Sequence, residues 1–133
     1  MSDLPAPEPS ITPETEEFWE ATTEGRLLIR HCNDCGDAYH YPRTFCPFCG
    51  SDDTEWTESG QGEIYAYTVT HQAGGAYGEA APYILAYVEL EEGPRVMTNI
   101  VGADPDETEI GDEVEVVFDE ASESASLPRF TPK

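Results

Sequence analysis

The sequence predicts a mainly β protein in which a short N-terminal helix and a four-cysteine metal ribbon precede a small β-barrel. Three observations predict this. Two Cys-x-x-Cys pairs stand at Cys32/Cys35 and Cys46/Cys49, apolar residues alternate in short runs from Gly60 onward, and a Thr-Pro-Glu helix start stands at Thr12.

Residues 1–11 contain Pro5, Pro7 and Pro9 and are expected to be a flexible tail. Residues 12–25 read as a helix. Thr12 is the N-cap, Pro13 takes the first position, Glu14, Glu16 and Glu17 lie at the positive end of the helix dipole, and Gly25 stops it. Its apolar stripe is Phe18 and Trp19 with Thr15 and Thr22. About three turns are marginal in water, so the helix must dock, with Phe18 and Trp19 gripping a partner or covering the chain's own barrel. Residues 26–59 form the ribbon: a short strand at 26–31, the two cysteine pairs, and a polar connector over 51–59 that contains Trp56.

Residues 60–120 form the barrel. In 63–72, Tyr65, Tyr67 and Val69 alternate with Ile64, Ala66 and Thr68. Strands over 83–91 and 95–101 flank the tight Glu92-Gly93-Pro94 turn, an acidic loop runs over 104–109, and in 113–118 Val114, Val116 and Phe118 alternate with Glu115 and Val117. Residues 121–133 are expected to be an irregular C-terminal tail. Strands of this length and spacing suit a small barrel rather than a βαβ sheet.

The cysteines occur as Cys32-Asn-Asp-Cys35-Gly36 and Cys46-Pro47-Phe48-Cys49-Gly50. Two thiolates separated by two residues bind one metal from a tight turn, and the following glycine allows the backbone angles that the turn needs. Ten residues separate Cys35 from Cys46, so two such knuckles complete a tetrahedral set of four sulfurs. With every position filled by protein, the metal is structural. Zinc is the expected ion and iron its competitor, because rubredoxin uses similar knuckles. His31 and His40 are expected to be surface or supporting residues rather than ligands.

Charge narrows the function. The chain carries 28 acidic residues against six basic ones, a net charge of -22. Such a surface repels nucleic acid. The cations are Arg26, Arg30, Arg43, Arg95, Arg129 and the terminal Lys133, and this acid-rich, lysine-poor balance reads as adaptation to high salt. An acidic disordered chain is excluded by the strand patterning. Met1–Thr12 lacks the basic start and apolar centre of a signal peptide, and no apolar run approaches the ~20 residues of a membrane span. A cytoplasmic protein is therefore expected, with neither membrane nor nucleic acid as partner, and with cysteines kept for metal.

The order of motifs is more specific than the knuckles alone. Phe18-Trp19, Glu24-Gly25-Arg26-Leu27, Cys32-x-x-Cys35-Gly36, Pro42-Arg43, Cys46-Pro47-x-Cys49-Gly50, Trp56, Ser59-Gly60, Gly62, Tyr67-Thr68-Val69, Pro82-Tyr83 and Val88-x-Leu90-x-x-Gly93 follow one another. This run resembles the acyl-CoA-associated zinc-ribbon proteins known as domain of unknown function thirty-five. The resemblance covers roughly 14–120. It implies a helix, a rubredoxin-like zinc ribbon and an oligonucleotide/oligosaccharide-binding (OB) barrel. It also implies a non-catalytic subunit that works beside thiolase-like enzymes or hydratases on CoA thioesters. An archaeal member bridges a thiolase and hydroxymethylglutaryl-CoA synthase in the mevalonate pathway, holding the pantetheine between them, and the acidic composition fits a salt-loving archaeon.

Arg30, Arg43 and Arg95 are candidate contacts for CoA phosphates, each set against pairing with a neighbouring carboxylate. The glycine-containing loop His71–Pro82 reads as a path for a pantetheine arm or as a flexible hairpin loop. His71 has no identifiable catalytic partner. Two other function classes stand beside the scaffold: a nucleic-acid-binding module, since ribbons and OB barrels both serve that role, and an iron electron carrier.

Overall fold

The computed structural model describes residues 4–133. The elements in order are α1 (Glu16–Thr23), β1 (Leu27–Cys32), β2 (Ala38–Tyr39), β3 (Thr54–Ser59), β4 (Gln61–Thr70), α2 (Gly75–Ala80), β5 (Tyr83–Leu90), β6 (Arg95–Ile100), a 3-10 turn (Pro105–Glu107), β7 (Glu113–Glu120) and β8 (Ser126–Pro132). The ribbon is a three-stranded sheet in the order β2-β1-β3, and the barrel closes as β4-β5-β6-β8-β7.

The helix begins later than its Thr-Pro start suggests. Thr12–Thr15 is a separate turn, closed by the Thr15 N–H to the Thr12 carbonyl at 3.0 Å. Gly25 ends the helix as expected, in the left-handed region at φ 75, while the Arg26 N–H returns to the Ala21 carbonyl. Phe18 and Trp19 are 1% and 7% exposed, and they share one core with Leu27 and Ile29 of β1 and with Ile64, Ile84, Val88, Leu90, Val96, Ile100, Val114 and Phe130 of the barrel. The helix stripe thus covers the chain's own barrel, which leaves these two rings no surface for a partner. Thr22 ties the helix to β8: its hydroxyl donates to the Trp19 carbonyl and accepts the Ser126 N–H at 3.0 Å.

Three sequence expectations need correction. The connector at 51–59 contains β3, which pairs antiparallel with all of β1 from Leu27↔Ser59 to Cys32↔Thr54. Its polar composition hid it, because Glu55 and Glu58 face water while Trp56 packs against the core. The C-terminal tail is the strand that closes the barrel, antiparallel to β7 and meeting β6 in parallel at Ile100↔Phe130. Serines and two prolines mask it. A strand bonded along its length on one side tolerates prolines that a central strand would not. The loop after His71 contains the short helix α2.

Alternation in β4 also fails, at one point. A bulge between Ile64 and Ala66 leaves Tyr65 without a cross-strand partner, so Ile64 and Tyr67 both face the core although they are three residues apart. The Ser59-Gly60-x-Gly62 motif is the joint between ribbon and barrel. A Cβ at Gly62 would lie 2.4 Å from the Glu89 carbonyl oxygen, and one at Gly60 would lie 3.0 Å from Val116 Cγ1, so both positions demand glycine.

Arg129 and Asp119 form an ion pair at 2.5 Å and are 2% and 5% exposed. The same guanidinium donates to the Pro5 carbonyl and to the Tyr77 hydroxyl, so it pins the N-terminal segment and α2 to the barrel. Met1, Ser2 and Asp3 of the expected flexible tail lie outside the described residues. Replacing one member of a buried pair strands the other charge, at roughly 3–5 kcal/mol, whereas replacing both with apolar side chains is often neutral. Arg129→Met is therefore expected to lower the urea midpoint sharply, and Arg129→Met with Asp119→Leu to restore most of it. Equal midpoints for the single variant and the parent chain would refute the pinning role.

Candidate metal centre

The first knuckle is the turn between β1 and β2, and the second precedes β3. The two are built alike. The Gly36 N–H donates to the Cys32 carbonyl and the Gly50 N–H to the Cys46 carbonyl, each at 2.9 Å, with the glycines at φ 81 and 79. The Cys32 N–H reaches the Asp37 carbonyl and the Cys46 N–H the Ser51 carbonyl. In each knuckle the first cysteine is buried and the second exposed.

The four sulfurs lie within 4.8 Å of one another, with Cys32–Cys49 at 3.6 Å and Cys35–Cys46 at 3.7 Å. A tetrahedral ion with bonds of about 2.3 Å to sulfur sets neighbouring sulfurs roughly 3.8 Å apart, so the donor set fits zinc. The Phe48 N–H points at the Cys46 sulfur at 3.4 Å, as the backbone does when it supports a thiolate. Without a cation the crowded thiols resist joint ionisation. The Asp37 N–H favours the Cys35 thiolate, but burial and the sulfurs of Cys32, Cys46 and Cys49 push its pKa up to about 12. A divalent ion removes that conflict and, with four protein ligands, leaves no position for substrate.

None of the three histidines joins the set, and His31 is half-buried on β1. His40 packs among Phe18 and Tyr41, with ring centroids 5.8 and 5.3 Å away, and its buried Nδ1 has no partner among the described residues. Burial pulls its pKa down to about 4. His71 is exposed beyond the end of β4.

The three candidate CoA arginines do not converge. Arg30 donates to the Thr54 hydroxyl and stacks on Trp56 at 4.5 Å. Arg95 pairs with Glu89 at 3.0 Å and lies over the Tyr65 ring at 3.8 Å. Arg43 is exposed on the loop between the knuckles. Arg95 also lines a cleft of about 400 Å3 between ribbon and barrel, together with His40, Phe48 and Pro94. Sequence reasoning missed the buried Arg129–Asp119 pair, because no local pattern joins residues from two strands to Pro5.

These features define the class: a zinc ribbon joined through one core to an OB-type barrel. The chain belongs to the DUF35 family. Residues 19–55 match the rubredoxin-like zinc ribbon domain of ChsH2, and residues 57–119 match the ChsH2 C-terminal OB-fold domain. A DUF35 domain-containing scaffold protein of Methanothermobacter thermautotrophicus is 44% identical over 79% of this chain and 81% of its own length. A probable enoyl-CoA hydratase alpha subunit of Thermomonospora curvata is 40% identical over 95% of this chain, which spans 40% of that longer protein. A benzoylsuccinyl-CoA thiolase subunit of Thauera aromatica is 29% identical over 84% of this chain and 78% of its own length. The solved Ltp2-ChsH2(DUF35) aldolase contains a chain with TM-score 0.81 and 40% identity, covering 94% of this chain and 98% of that one.

Two measurements check the site. The purified protein is expected to be colourless with one zinc per chain by elemental analysis, and Cys46→Ser to lose nearly all of it together with the dispersed amide signals of the ribbon. A visible ferric–thiolate absorption, or full zinc retention in the variant, would contradict this assignment. His40 supplies a pH dependence. Its folded pKa lies below the ordinary 6.5, so the unfolded chain takes up the proton first as pH falls. Its contribution is complete above pH 6.5 and is lost as pH falls toward 4, up to about 3 kcal/mol in all. Urea unfolding of His40→Phe at saturating zinc is expected to show a shallower decline across that window than the parent chain. Parallel declines would mean that His40 does not titrate with unfolding.

Proposed function

We propose that the chain is a non-catalytic scaffold subunit that binds and bridges acyl-CoA enzymes, a thiolase with hydroxymethylglutaryl-CoA synthase, and aids passage of a CoA thioester between their active sites. The observation that carries this reading is the closed four-thiolate site on a ribbon that shares one core with the barrel, while no histidine among the described residues hydrogen-bonds a serine or cysteine. The relatives named as scaffold and as thiolase and hydratase subunits support the same direction.

A scaffold of this kind acts by position. Two enzymes on one rigid body see each other's product at an effective concentration set by geometry, without new chemistry. The CoA thioester is the shared ligand, and the lining of the ribbon–barrel cleft by Arg95 supports this arginine as its contact. The acid-rich, lysine-poor surface suits work in the cytoplasm of a salt-loving archaeon. The charge of -22 weighs against the nucleic-acid reading, although Tyr65, Leu85, Tyr87 and Met97 leave the outer barrel face apolar.

The test is affinity capture of the tagged full chain at high salt from its source cells, with co-purifying proteins identified by mass. A thiolase is expected, with hydroxymethylglutaryl-CoA synthase beside it, and the purified chain alone is expected to turn over no acyl-CoA. Recovery of RNA-processing proteins, or turnover by the isolated chain, would refute the scaffold reading.

A further inference from the structure

We propose that the loop between the two knuckles is the anchor by which this chain grips its partner. In this proposal Arg43 clamps a carboxylate on the partner enzyme, and Tyr41 and Phe45 fill the apolar hollow around that carboxylate. The inference rests on the scaffold reading and adds the surface and the chemistry of the partner.

The arginines single out this loop. Arg26 pairs with Glu24 and Glu58, Arg95 with Glu89, and Arg129 with Asp119, while Arg30 is taken up by Thr54 and Trp56. Arg43 alone has neither an ion pair nor a side-chain hydrogen bond among the described residues. Glu14 feels its charge, but that carboxylate is spent on the Thr44 N–H at 2.6 Å. In a chain with 28 carboxylates, an exposed guanidinium left without one has its five donors free for an outside acceptor.

Its neighbours are the side chains that interfaces favour. Tyr41 and Phe45, two residues to either side of Arg43, are 45% and 60% exposed, and Tyr and Arg dominate the energetics of protein contacts. The loop is held in place before any partner arrives. The Tyr39 hydroxyl donates to the Arg43 carbonyl at 2.6 Å, Pro42 is buried, the Thr44 carbonyl accepts from Thr54, and Cys46 belongs to the metal site. Little ordering entropy remains to be lost on binding.

Charge sets the kind of partner. Asp34, Asp37, Asp52, Asp53 and Glu55 are exposed on the same ribbon. Free CoA, with its several phosphate charges, meets that field as a like charge. A protein can bring a carboxylate to Arg43 and surround it with lysines and arginines that face the ribbon acids. The fitting surface is an apolar hollow holding one Asp or Glu inside a basic rim.

The experiment uses the full zinc-loaded chain and the acyl-CoA enzyme recovered with it, purified separately, with affinity measured by calorimetry. Arg43→Ala is expected to weaken binding by 10- to 100-fold, Arg43→Lys to recover little of this because the fork is lost, and Phe45→Ser to weaken it about tenfold, with zinc content unchanged in each. Changing the matching partner carboxylate to its amide is expected to be non-additive with Arg43→Ala. An enzyme captured by the parent chain and bound within twofold by all three variants overturns this inference and leaves the scaffold reading standing. Failure to capture any acyl-CoA enzyme overturns both. Binding of free CoA by the chain alone, abolished in Arg43→Ala, would assign Arg43 to the ligand and overturn the protein contact.

Discussion

The structure depends on β1, a single strand that belongs to two bodies at once. Its first half carries Leu27 and Ile29, which are 2% and 0% exposed in the core shared with the helix and the barrel. Its last residue is Cys32, a metal ligand. A structural zinc site binds with an apparent free energy of order 10 kcal/mol or more, and that energy is folding energy. Because β1 joins the site to the core, order at the thiolates reaches the barrel through a strand six residues long. The ribbon is therefore no appendage on a linker. Phe18 and Trp19 close the same joint from the other side, and truncating such a ring in a full core costs roughly 3–5 kcal/mol.

How legible this was in the sequence differs element by element. The knuckles were legible because metal chemistry dictates spacing, and Cys-x-x-Cys-Gly leaves few other readings. β5 and β6 were legible within a residue at either end, since strict alternation and a Gly-Pro turn bound them. β3 and β8 were missed for opposite reasons. β3 is a largely polar strand, with Glu55 and Glu58 among threonines and a serine, whose partners are supplied by β1, and β8 is a strand interrupted by Pro128 and Pro132 whose packed residues, Leu127 and Phe130, matter only once β7 lies beside it. Both are cases in which tertiary pairing, not local propensity, decides the conformation. The bulge at Tyr65 belongs with them, since one extra residue inverts the faces without any mark in the pattern. Arg129 joins two strands to Pro5 across more than a hundred residues, beyond the reach of any local rule.

The charge distribution separates stability from recognition. The surface carries most of 28 carboxylates, whose mutual repulsion falls as salt screens it, while Arg129 and Asp119 form a buried ion pair that salt hardly reaches. That pair fixes geometry by tying Pro5, Tyr77 and β8 together. Surface pairs such as Arg26 with Glu58, at 3.5 Å and largely exposed, contribute little beyond orientation. The two kinds of charge thus answer different demands, one holding the fold and the other setting which surfaces are allowed to approach.

A protein that acts only by holding others must solve a problem that an enzyme does not. Its partners meet at a distance and angle set by its own rigidity, and slack in the connection lowers the effective concentration it can impose. The architecture supplies such rigidity. Gly60 and Gly62 let the chain leave β3 and enter the barrel with β4 pressed against β5, the shared core ties ribbon to barrel, and the metal site holds the end of the loop that carries Arg43. Zinc held by these four sulfurs would serve as a fastener, since four protein ligands leave no open coordination position. With four protein ligands the metal contributes the rigidity of β1 and of the two knuckles.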